Sequence, residues 1–140
     1  MLGADEVIKN KIYHITAADA DRIVQETNSS TNLHLVELQG EEIQSWEDYI
    51  VEIESAFKFP TSCINNMNGY NDWIRDLSWL GKDGYVLIIH NFKDFLNQDL
   101  MLKYIVLGRY ADLILPWWEK DVERCVVEGK AKSFNVYLVD

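Results

Sequence analysis

Few residues in this chain combine the types and spacing that chemistry requires. Its three histidines, His14, His34 and His90, are scattered, and each falls in or beside a run that reads as a strand. There is no His-x-x-x-His and no Cys-x-x-Cys, so no metal site is signalled. The seven glycines are dispersed and build no phosphate-cradling loop. A Cys63–His90 nucleophile pair can be drawn, since loop cysteines and strand-end histidines do make such sites. No third group is identified to orient the histidine, and a buried thiol beside an ordinary histidine is the competing reading. Glu41–Glu42 and Asp72–Asp76 are carboxylate pairs, yet both read as solvated surface. Trp117-Trp118 after Pro116 fits a stacking platform less well than it fits a core. The expectation is therefore no enzyme, no cofactor and no small-molecule substrate.

The densest polar chemistry lies in NNMNGYNDWIRDLSWL, residues 65–80. Tyr70, Trp73, Ile74, Leu77 and Leu80 keep helical spacing and form a stripe that should face a core. At about 100° per residue, Asn68 and Asp72 lie about 40° apart on the helix wheel. Arg75 and Trp79 continue that polar stripe. One reading makes Asn66 or Asn68 an N-cap, sets Asp72 at the favourable end of the helix dipole, and leaves Asp76 and Arg75 as surface dressing. The other makes the stripe a binding surface. Asp72 is then a carboxylate aimed outward into a cationic site, such as one built for phosphate, with Trp79 at its rim.

The elements that must position this stretch are legible from patterning. The polar break NSSTN (28–32) separates residues 1–32 from residues 33–140. The first part offers a strand over Ile12–Ile15 and a helix over Ala17–Thr27, N-capped by Thr16. LHLVEL (33–38) reads as a strand closed by a turn at Gly40. Ser45 then opens a helix through a capping-box variant with Asp48 in the usual glutamate position, and Pro60 stops it. GYVLIIH (84–90) is apolar without alternation, as in a strand buried on both faces. Residues 93–115 are mostly helical. Pro116 opens a further helix running to about Glu128 and ended by Gly129, and FNVYLV (134–139) is the last strand. Helices separate successive strands, so the class is α/β with parallel pairing.

Composition narrows the function classes. With 140 residues, 48% of them hydrophobic and 12% aromatic, the chain can fill a single core. No long apolar run suggests a membrane span. The start, MLGADEVIKNK, shows no signal peptide, and two cysteines are too few for a disulfide framework, so a cytoplasmic protein is expected. The net charge of −10 disfavours direct nucleic-acid binding and favours a basic protein partner. The acidity is uneven: residues 1–60 hold 12 acids and 4 bases, residues 61–140 hold 11 and 9. Residues 65–80 are thus not themselves an acidic cluster, and solubility alone accounts for part of the charge.

Asn66-Met67-Asn68-Gly69-Tyr70-Asn71-Asp72, followed by Arg75-Asp76-Leu77-Ser78-Trp79-Leu80 and Gly84-Tyr85-Val86-Leu87, resembles the barstar family of intracellular inhibitors of barnase-type ribonucleases. The resemblance covers about Leu33–Asp140 in element order. It implies a three-stranded parallel sheet packed by helices, to which residues 1–32 can add an edge strand. It also implies a bacterial immunity protein of a toxin–antitoxin kind, whose helix and preceding loop plug the active site of a basic ribonuclease or related toxin. Asp72 matches the family's central aspartate, and Asn66 and Met67 match the loop contacts before it. Asn68, Asn71, Arg75, Asp76 and Trp79 complete the expected surface.

The departures from the pattern are specific. Asn68 stands for an aspartate and Asn71 for a tryptophan. Thr61-Ser62-Cys63 replaces a loop aromatic, Ile64 replaces a glycine, and Glu128 is only a candidate for a late glutamate. They imply a target other than barnase itself. The alternative is a protein–protein interaction module on the same fold that inhibits nothing.

Overall fold

The computed structural model describes residues 8–140. Met1–Val7, which carry most of the stretch read as lacking a signal peptide, lie outside the described residues. Four strands form one parallel sheet in the order β1-β4-β3-β2: β1 (Ile12–Ile15), β2 (Leu33–Gln39), β3 (Gly84–His90) and β4 (Ser133–Val139). The sheet thus has four strands where the resemblance implies three. The difference is β1, which pairs with β4 in the register Ile12↔Val136 to Ile15↔Val139. Asn10 fixes that register. Its Oδ1 accepts the Phe134 N–H at 2.9 Å, and its Nδ2 donates to the carbonyls of Leu115 and Lys132, each at 3.1 Å.

β3 lies inside the sheet, and Gly84–Ile89 are all buried, as an unbroken apolar run requires when both faces are covered. On one face Tyr85, Leu87, Ile89, Phe134, Val136 and Leu138 join the main core. On the other, Val86, Ile88 and Val139 pack with Ala20 of α1 (Ala17–Asn28). The N-terminal segment therefore supplies an edge strand and also the helix that covers the second face. Thr16 caps α1 by accepting the Asp19 N–H at 3.1 Å.

Over the main core lie α2 (Trp46–Ala56) and α3 (Met67–Ile74). At α2, Ser45 Oγ accepts the Asp48 N–H, and Asp48 Oδ2 reaches back to the Gln44 N–H at 3.0 Å, one residue earlier than a capping box requires. The helix after β3 starts later than expected. Phe92–Asp94 is a 3-10 turn, and α4 (Leu100–Arg109) opens at Asp99, whose Oδ1 accepts the Leu102 N–H.

From α4 the chain stays helical through Pro116 instead of restarting there. A π turn at Tyr110–Ile114, a second at Trp117–Asp121 and the short α5 (Val122–Cys125) follow without a break. Pro116 itself is helical at φ −64° and ψ −33°. An interior proline lacks an N–H donor and crowds the preceding turn, and the flanking π turns widen the helix to make room for it. The helix ends at Cys125, before the expected Glu128, because Val126 turns extended.

Under these helices Tyr49 of α2, Tyr70 of α3 and Tyr110 of the first π turn bring their hydroxyls together in the core. Tyr49 Oη lies 2.8 Å from Tyr70 Oη and 2.6 Å from Tyr110 Oη. This cluster ties α3 to two other helices. Burial raises the pKa of all three phenols, Tyr110 to about 12.

Candidate functional site

α3 and the loop before it are held from both ends. Asn66 is the N-cap and accepts the Gly69 N–H through Oδ1 at 2.9 Å. In the loop, Glu54 of α2 accepts the Cys63 N–H at 2.9 Å and the Ser62 hydroxyl at 3.2 Å. Nothing in the sequence marked Glu54, since one more acid on an amphipathic helix carries no signal.

All five tryptophans serve the same region. Trp46 donates its indole N–H to the Ile64 carbonyl at 2.9 Å, and Trp73 donates to Thr61 Oγ1 at 3.1 Å. Trp118 and Trp117 donate to the carbonyls of Ile74 and Arg75 at 3.0 and 2.8 Å. Those carbonyls end α3, where no backbone partner is available. Trp79 donates to the Phe57 carbonyl at 2.8 Å. Trp117-Trp118 is thus a cap for α3, with Trp118 buried and Trp117 partly so, rather than a stacking platform. Such bonding holds the loop and helix in one shape before any partner arrives, which lowers the entropy lost on binding.

On this frame Asn66, Asn68, Asp72 and Asp76 are exposed. Met67 is half-buried and packs on the main core. Arg75 is also half-buried. Its Nε donates to the Asn71 carbonyl at 3.1 Å, and its guanidinium lies 5.1 Å from the centre of the Trp117 ring. Asp76 Oδ1 accepts the Ser78 N–H at 3.2 Å.

Three expectations need correction. Asn71 is only 8% exposed, its Oδ1 finds no partner among the described residues, and it does not present a contact surface. Trp79 is not on the polar stripe of α3 either. α3 ends at Ile74, Leu77 turns left-handed at φ 52°, and Ser78–Leu80 is a separate 3-10 turn. The helix wheel therefore does not extend to Trp79, whose ring packs edge-on against Phe59 and Trp73. Asp72, finally, lies outside the first turn of α3, which holds no acid.

Two predictions follow from this geometry. Asn66→Ala loses the cap and is expected to lower stability by about 1 kcal/mol in urea unfolding. Trp79→Phe loses one part-buried hydrogen bond, about 1 kcal/mol. As a packing residue it should leave partner affinity within twofold by calorimetry; a tenfold loss would return Trp79 to the contact surface.

Asp72 is the residue that stability does not explain. Its side chain is 77% exposed, and it stands two positions from the end of an eight-residue helix. There the dipole disfavours a carboxylate. Among the described residues its ionic contact is Arg75 Nη2 at 3.6 Å, a long pair between an exposed carboxylate and a half-buried guanidinium, of small net value. Beside it, Arg75, Asp76, Ser78, Trp118 and Lys132 line a groove of about 460 Å³, and Glu128 borders the same groove. The loop after α5 thus brings Glu128 to the C-terminal end of α3.

The drawn nucleophile pair is not assembled. Burial and the carboxylates of Glu54 and Asp72 raise the Cys63 thiol pKa, opposite to an activated thiolate. His90 Nε2 instead meets Glu37 Oε1 at 2.9 Å. Among the described residues no three His, Cys, Asp or Glu side chains group to hold a metal, and no helix is long and apolar enough to cross a membrane.

A comparison with protein-family models matches residues 33–124 to Barstar (barnase inhibitor). No curated protein matches the sequence.

Proposed function

Because the chain belongs to the barstar family, we propose that it is an intracellular immunity protein that blocks a basic ribonuclease or related toxin with α3 and the loop before it. The observation that carries this reading is Asp72, an exposed carboxylate placed where the fold gains little from it. A carboxylate on a rigid helix can occupy the place of a substrate phosphate among cationic catalytic groups. The net charge of −10 adds attraction toward a basic target.

Asn66 and Asn68 flank Asp72 on the exposed side of α3 with uncharged contacts, and Asp76, just past the end of the helix, adds a second exposed carboxylate. That pattern differs from the family's at Asn68 and Asn71, and it suits a target whose active site is cationic. Asn71, being buried, shapes the helix and does not read the target.

The test is capture from a lysate of the source cell at low salt, with wild type beside Asp72→Ala. Captured protein is then assayed for ribonuclease activity as the inhibitor is titrated back. A basic nuclease held by wild type, lost by Asp72→Ala and silenced at a one-to-one ratio is the expected result. A partner retained equally by both variants, with no activity suppressed, would replace the inhibitor with an interaction module that docks elsewhere.

A further inference from the structure

α4 carries an apolar face that the monomer leaves in solvent. Leu100 is 55% exposed, Met101 73%, Tyr104 76% and Ile105 40%. Met101, Tyr104, Ile105 and Gly108 recur at three- and four-residue spacing, so they share one stripe. The stripe occupies the side of the helix that faces away from the core, where an amphipathic helix carries polar groups. Lys103 does not relieve it. Its ammonium turns toward Phe92, 4.4 Å from the ring centre, and donates to the Phe92 carbonyl at 3.0 Å.

Gly108 has no role in the monomer. Among the described residues a Cβ added there meets nothing within 4 Å, and its φ is not positive. Glycine in a helix interior is destabilising relative to alanine, so its presence in open space asks for a reason outside the monomer. Close approach of another backbone or a large side chain supplies one.

We propose that this face is the interface of a two-fold dimer in which α4 packs antiparallel against α4 of a second copy. The stripe is self-complementary under that symmetry. With the axis between Tyr104 and Ile105, Met101 of each copy falls opposite Gly108 of the other, so the largest flexible side chain meets the gap. A hollow of about 250 Å³, lined by Phe92, Leu100, Lys103, Tyr104 and Leu107, opens beside the stripe and can seat a side chain of the opposing helix.

Area agrees with this occupant, and the stripe limits the electrostatic cost. Two chains of net charge −10 repel, and the uncharged stripe is where they can meet at least electrostatic cost. The four exposed apolar residues amount to on the order of 500 Å² per copy. Two copies therefore cover roughly 1,000 Å² before rim contacts are added, close to the 1,200 Å² at which specific interfaces begin. The proposal uses α4 alone and stands whether or not α3 inhibits a nuclease.

The experiment is sedimentation equilibrium over a concentration series on the full chain in a Cys125→Ser background, which removes the exposed thiol as a source of cross-links. Wild type is expected to shift from the chain mass to twice that mass. Tyr104→Lys is expected to remain monomeric with an unchanged melting temperature. Gly108→Ala is expected to melt higher and to dimerise about tenfold more weakly, opposite signs that a purely structural glycine would not give. A wild type that stays monomeric throughout would overturn the proposal, and so would a dimer that survives Tyr104→Lys.

Discussion

Asp72→Ala is expected to keep the fold and lose the partner. The side chain is 77% exposed and its ionic contact among the described residues, to Arg75, is long at 3.6 Å, so the change in unfolding free energy should stay within about 0.5 kcal/mol. Removing an unfavourable charge near the C-terminal end of α3 can even stabilise slightly. Binding is a different matter. A central anion that enters a cationic site is desolvated there, and truncating it leaves the opposing cations unpaired. The loss should reach about 2 kcal/mol or more, thirtyfold or greater in Kd. Titration calorimetry against the captured nuclease, beside urea unfolding, separates the two effects. Equal affinity for wild type and variant would remove Asp72 from the site.

Most elements of the fold were legible because their signals are local. The alternation-free run at Gly84–His90 predicted a strand covered on both faces, and β3 is one. Thr16 and Ser45 predicted helix starts, and both cap through the expected hydroxyl. The place of β1 was less so. A four-residue strand states its own conformation, but its partner β4 lies more than a hundred residues away, and nothing local encodes that pairing. Pro116 misled for the same reason. Its missing N–H argued for a helix start, whereas the flanking π turns absorb it inside a continuous helix.

The site divides along the same line. Tyr70 and Ile74 face the core as their spacing required, and Asp72 faces solvent. Trp79 did not follow the wheel because Leu77 adopts a left-handed conformation with no glycine to announce it. The role of the tryptophans was hidden for a related reason. That a buried indole needs an acceptor is general, but which carbonyl it finds is decided by helices packed far apart in sequence, such as Trp118 on Ile74.

Tyr49→Phe tests whether α3 depends on the hydroxyl cluster beneath it. Tyr49 is fully buried and is the member bonded to both of the others, at 2.8 and 2.6 Å. Removing its hydroxyl deletes both bonds and is expected to cost about 1–3 kcal/mol in urea unfolding. Tyr49→Ala adds a cavity and should cost about 3–5 kcal/mol. The cluster also sets a sign for alkaline stability. Burial raises the phenol pKa values of Tyr49, Tyr70 and Tyr110 above their ordinary value, so the folded chain keeps protons that the unfolded chain releases above about pH 10. The unfolded state then binds fewer protons, and stability is full below pH 10 and falls as pH rises past it. Each phenol contributes a slope of about 1.4 kcal/mol per pH unit, and three together about 4. Tyr49→Phe should therefore start less stable at neutral pH and lose stability less steeply above pH 10. Unfolding free energies measured from pH 8 to pH 11.5 decide it. Equal slopes for wild type and variant would mean that the Tyr49 phenol ionises as readily folded as unfolded, and an unchanged stability at neutral pH would mean that the cluster does not hold α3 in place.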